Sequence, residues 1–313
     1  MNFEVVGAGL PMSHLAAAAL GLGVVGVSDV TVVVSDEFAD TVAELTGNPD
    51  RGIDLRSGFF SRTIVTPTGT AIVLNAPELG CTSTSFMERL LAHEAGRVLL
   101  EQRGECLAAP ERLAGTSAWE RLLRQIGGIA IEEYRIERTL VGLGYPEMDG
   151  AEAEYIGEMM LGLNAEIVGA VTDVDQVHCT TGEFEERVLR THAWLAKYLA
   201  YIAAYQPDDP DRIHLDAGAW ENWIDYISGC WDQRVGLYES VPSIFEPMAD
   251  TDLELIQRQG LALEVAQLEA LGFSYTTEPG GRERLSRRGS DLLFTNRLAR
   301  LRADQGSPAN PTH

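Results

Sequence analysis

The sequence predicts an α+β protein: a small sheet with motif-bearing helices first, then a mainly α-helical C-terminal half. Three observations carry this. Short β-branched runs at 30–34, 63–66 and 70–74 alternate with helix-like segments before residue 145. From about residue 150 the chain reads as long helical segments separated by proline-bearing loops. The 313 residues are 45% hydrophobic, which supports one or two domains with real cores rather than a disordered chain. The expected organisation is a first domain over 1–145, a helical domain over 150–275 and an arginine-rich, partly flexible tail over 276–313.

The elements follow in order. Pro11-Met12-Ser13 opens a helix that continues into the apolar run Leu15–Val27. No Lys or Arg precedes that run, and it falls short of the roughly 20 residues a bilayer span needs, so it reads as a buried helix. Val5–Gly9 before it hints at a dinucleotide-binding turn, but Met12 stands where the third glycine belongs. Val30–Val34 is a strand, and a short helix over 36–45 is entered from Ser35 or Asp36 as N-cap. Thr63–Thr66 and Thr70–Leu74 flank Pro67-Thr68-Gly69, which is hairpin chemistry. A helix over 84–103, capped by Thr84 or Ser85, precedes another over 117–143 that breaks or bends near Gly127-Gly128. Further helices fall at 151–168, 183–205, 217–230 and 251–271. Trp220, Trp223, Tyr226, Ile227 and Trp231 recur at helical spacing, as a helix core or an exposed partner surface. Between Arg282 and Arg302, seven arginines face only Glu283 and Asp291, which suggests a solvated or folded-back end.

Charge narrows the partners. A net charge of −23 and an isoelectric point near 4.6 argue against nucleic-acid phosphate or an anionic membrane. A peptide or another protein remains. The four cysteines are scattered without a Cys-x-x-Cys pair, which suits a reducing cytoplasm.

The helix over 84–103 carries the chemistry. At about 100° per residue, Phe86, Leu90, His93, Glu94, Arg97 and Val98 share one half of it. Three strongly polar side chains inside an apolar arc need partners, because burying them alone would cost several kcal/mol. His-Glu-x-x-His places two imidazoles one turn apart to hold zinc, with the glutamate as general base for metal-bound water. Here the run is His93-Glu94-Ala95-Gly96-Arg97. The next helix reads Ile131-Glu132-Glu133-Tyr134-Arg135-Ile136-Glu137; Ile129, Ile136 and Leu140 mark an apolar stripe holding Glu133 and Glu137, with Glu132 at its edge.

This pair of helices resembles the glutamate-type, zincin-like metallopeptidases, over about residues 29–142. The resemblance implies a zincin-like first domain in which His93 is a metal ligand, Glu94 the general base and Glu133 or Glu132 the third ligand, with zinc as the metal of an active enzyme. It also implies that the hairpin at 63–74 lies beside the motif helix and rims a cleft. Arg97 is the departure, since a permanently protonated guanidinium does not ligate zinc. In the leading reading no cofactor is bound, and Arg97 replaces the cation by pairing with Glu133, Glu132 or Glu94. The protein is then a degenerate metallopeptidase acting in binding or regulation. A second reading keeps a metal-dependent peptidase, with His178, His192, His214 or Cys179 supplying the missing ligand. A third is a structural or phage-associated assembly protein. A fortuitous match would leave His93 and Glu94 as satisfied polar core residues.

Overall fold

The computed structural model describes residues 2–6, 9–27, 30–48, 60–66, 69–113, 117–145, 153–205, 215–278, 280–288 and 291–306. They form a mixed α+β protein, mostly helical, with one four-stranded and one two-stranded sheet. The chain divides into two compact units. The first comprises 1–106 with 142–145 and 244–247, and the second comprises 107–141, 146–243 and 248–313. Residues 107–141, expected with the first domain, therefore group with the second unit.

In the first unit, β1 (Asn2–Val6), β2 (Val30–Ser35) and β4 (Gly69–Asn75) run parallel, and β3 (Ser61–Thr66) pairs antiparallel with β4 at the edge, giving the order β1-β2-β4-β3. Thr66 opposes Gly69 across the expected hairpin, whose Pro67 and Thr68 lie outside the described residues. Helix α1 (Met12–Val25) connects β1 to its parallel neighbour β2. Helix α2 (Phe38–Thr46) follows β2 and packs Phe38 and Val42 against Val33, Ile64 and Val73. Val32, Val34, Ile72 and Leu74 on the opposite face are equally buried, so the central strands read as unbroken apolar runs. A short helix α3 (Ala76–Leu79) leads to the motif helix α4 (Thr84–Gln102).

Two caps differ from the sequence reading. Ser83, not Thr84 or Ser85, accepts the Phe86 N–H at 3.1 Å and starts α4. Glu37 occupies the α2 cap position, and the Ser35 hydroxyl accepts the Glu37 N–H instead. Helix α1 packs along α4 at van der Waals contact. A Cβ at Gly21 would lie 2.0 Å from the Glu88 carbonyl oxygen, so only glycine permits this crossing. The other side of α1 is exposed at Met12, Leu20 and Val24, so the helix is half-buried rather than fully enclosed. No described helix is long and apolar enough to cross a membrane.

The second unit holds α5 (Ala118–Gly142), α6 (Ala153–Asp175), α7 (Thr181–Tyr205), α8 (Ala217–Tyr226), α9 (Ser228–Glu239), α10 (Asp250–Leu271), the hairpin β5 (Phe273–Thr277)–β6 (Glu283–Arg287) and α11 (Asp291–Gly306). Helix α5 is continuous. Gly127 and Gly128 serve close packing, since a Cβ at Gly128 would lie 3.0 Å from Leu107 and one at Gly127 3.1 Å from the Glu264 Cγ. Trp223, Tyr226, Ile227 and Trp231 are buried, so the aromatic series is core, although the chain breaks it into two helices at Ile227. Among the described residues, the arginine-rich segment folds as β6 and α11. Arg297 of α11 is fully buried; it donates to the Leu271 and Ala270 carbonyls that end α10, pairs with Asp225 at 2.9 Å and lies over the Tyr226 ring. A guanidinium has enough donors to satisfy a helix C-terminus and a carboxylate together.

Candidate functional site

His93, Glu94 and Arg97 belong to the first unit; Glu132 and Glu133 belong to the second. In the first, α4 buries His93 and Glu94 almost completely and leaves Arg97 half-buried. The strand period of β3 puts Ser61 and Thr63 on the face opposite Ile64, which points to α2. Both hydroxyls donate to Glu94: Ser61 Oγ to Oε1 at 2.8 Å, and Thr63 Oγ1 to Oε2. Phe60, just before β3, packs edge-on against Phe86 in the first turn of α4, with ring centroids 5.0 Å apart. The hairpin thus lies beside the motif helix, as expected, and its edge strand holds the glutamate.

The electrostatics of Glu94 follow from these neighbours. Burial alone would raise its pKa, but the charges of Arg97 and His93, and the Thr63 and Ser61 hydrogen bonds, together hold the carboxyl below its ordinary value. The group is an ionised, doubly hydrogen-bonded carboxylate next to a fixed cation. Such a carboxylate is a weak proton acceptor, because protonation would forfeit all three favourable interactions.

On α5, Glu132 and Glu133 point to different neighbours, as residues 100° apart must. Glu132 Oε1 accepts the backbone N–H groups of Leu107 (2.6 Å) and Ala108 (3.2 Å), binding the preceding loop to the helix. Glu133 is buried; it accepts the Tyr201 hydroxyl at 2.7 Å and lies 3.4 Å from the Lys197 ammonium. One turn on, Glu137 accepts the Tyr205 hydroxyl at 2.6 Å. Tyr201 and Tyr205 sit at i and i+4 on α7, matching Glu133 and Glu137 on α5. Ile129, placed in the apolar stripe from sequence, is exposed; the buried face runs through Ile126, Ala130, Ile136 and Leu140 instead.

Of the distant donors, His192 is wholly buried and bonded through Nε2 to Glu264 Oε2 at 2.7 Å. His178 is exposed in the turn after α6, 4.0 Å from Asp173. His214 lies outside the described residues. Among the described residues no group of three or more His, Cys, Asp or Glu side chains is arranged to hold a metal ion.

Sequence reasoning missed a buried ionic cluster around His192. Arg234 donates to Glu264 Oε1 at 2.9 Å and to the Tyr238 hydroxyl at 3.0 Å, and all of these groups are buried. Burial opposes ionisation of Glu264, yet Arg234 and His192 hold its pKa down to about 2. The one available signal was polar Glu264 and Gln267 falling in the apolar phase of α10. The chain matches no family model, no curated protein sequence and no solved structure.

Proposed function

We propose that the protein is a zincin-like scaffold with a degenerate metallopeptidase site, acting in binding or regulation rather than hydrolysis, with a peptide or protein as partner. The observation that carries the reading is the state of Glu94. The residue in the general-base position is held by Ser61 and Thr63 and neutralised by Arg97 and His93. The donor set also fits zinc poorly. Arg97 stands in place of the second imidazole, and Glu132 Oε1 is engaged by two backbone N–H groups. Edge strand β3 supports a peptide partner: among the described residues it pairs within the sheet only with β4, and its Val65 is exposed, so an extended segment could add along it. The test is a peptidase assay on unfolded casein with and without added zinc, with Glu94→Gln as control. The expected result is no cleavage above the control. Zinc-dependent cleavage that disappears in Glu94→Gln would overturn the reading.

A further inference from the structure

We propose that a groove between α6 and α7, within the second unit, binds a free aromatic α-amino acid: its ring against Trp194, its carboxylate on Arg190 and its ammonium on Glu166. The starting point is Gly162. It stands in the interior of a 23-residue helix, where glycine is the least favourable residue after proline. Its φ lies outside the left-handed region, and a Cβ built there meets nothing within 4 Å, so neither backbone nor packing calls for it. What the missing side chain leaves is part of a groove of about 510 Å³, also lined by Leu163, Glu166, Arg190 and Trp194. That volume falls in the range of small-ligand sites.

Trp194 is 43% exposed yet fixed in place, stacked on Tyr198 at 5.8 Å and 12°, with Tyr155 packed against the same tyrosine. A rigid indole open to solvent is a ready stacking surface. Arg190 lies one helical turn before it, exposed, with no hydrogen bond or ion pair among the described residues. On the facing helix, Glu166 Oε2 accepts from Arg187 Nε at 3.0 Å, while Oε1 accepts no hydrogen bond among the described residues. Arg187 itself is satisfied by Glu166 and Asp173. The groove therefore offers a flat apolar wall, one open cation and one open carboxylate oxygen. A zwitterion with a ring matches all three. It also carries no net charge, so the field of a chain at −23 does not oppose it as it would a simple anion.

Titration calorimetry and saturation-transfer NMR of the full chain with L-phenylalanine test this. Saturable one-site binding in about the millimolar range is expected of so small a ligand in an open groove. Gly162→Leu, which fills the groove and favours the helix, should abolish binding while leaving the thermal midpoint unchanged or raised. Arg190→Gln should weaken L-phenylalanine about tenfold or more, yet leave L-phenylalaninamide, which lacks the carboxylate, unaffected. L-alanine should not bind. Absence of saturable binding, binding indifferent to Gly162→Leu, or equal affinity for acid and amide would each overturn the proposal. So would capture of an aromatic-rich peptide without the free amino acid.

Discussion

Replacing Glu94 by glutamine keeps the shape of the side chain and removes its charge, separating a structural carboxylate from a catalytic one. In the wild type, two hydroxyls donate to an ionised oxygen pair buried at 3% exposure. A hydrogen bond to a charged group contributes about 1.5–3 kcal/mol, against about 0.5–1.5 for a neutral one, so two weakened bonds remove roughly 2–3 kcal/mol. Loss of the attraction to half-buried Arg97 adds to this. Urea unfolding at pH 7 should therefore show Glu94→Gln less stable by about 2–4 kcal/mol. Because the folded pKa of Glu94 lies below its ordinary value, the carboxylate's contribution is complete above that value and fades as pH falls through the lowered one. The gap between wild type and variant should thus narrow below about pH 4.5. A variant as stable as wild type, or a deficit independent of pH, would refute the claim that Glu94 ties β3 to α4. A catalytic base held in strained isolation would give the opposite sign, with stability gained on its removal.

Other outcomes follow from the same contacts. Gly21→Ala should destabilise the first unit by about 1–3 kcal/mol or more by thermal or urea unfolding, because the added methyl meets the Glu88 carbonyl, which cannot rotate away. Tyr201→Phe should cost about 1–3 kcal/mol, since it leaves a buried carboxylate short of one donor; hydrogen exchange of α5 amides would register the loosening. Arg234→Met should cost about 3–5 kcal/mol at pH 7 by taking the guanidinium from buried Glu264, which keeps its His192 bond. With the wild-type pKa of Glu264 at about 2, and burial raising that carboxyl once Arg234 is gone, the cost should shrink as pH falls and the variant's glutamate takes up its proton first.

What could be read from sequence was local. The β-branched runs on either side of Pro67-Thr68-Gly69, and the helical phase of His93, Glu94 and Arg97, depend on neighbours a few residues away, and each took its expected form. Glu132 was not legible, because its partners at Leu107 and Ala108 are 25 and 24 residues distant. Gly127 and Gly128 suggested a break because glycine weakens a helix; their purpose is contact with Gly260, Glu264 and Leu107, which no local pattern encodes. The arginine-rich end looked solvated for the same reason. Arg297 is buried only because the free carbonyls of α10 and the carboxylate of Asp225 converge on it. Thr63 passed as an ordinary strand residue and Ser61 fell outside the expected strand, since their alignment with Glu94 exists only once β3 lies along α4.

The most direct measurement is zinc content, by plasma mass spectrometry, of wild type and Arg97→His purified with zinc present. A dication placed about 4 Å from a guanidinium at an effective dielectric near 20 meets a repulsion on the order of 8 kcal/mol. That offsets much of the roughly 10–16 kcal/mol a good structural zinc site supplies. The expected result is wild-type protein with zinc far below one equivalent, and partial occupancy once the imidazole replaces the guanidinium. One equivalent of tightly held, chelator-reversible zinc in the unmutated chain would contradict the proposal that Arg97 stands in for the metal.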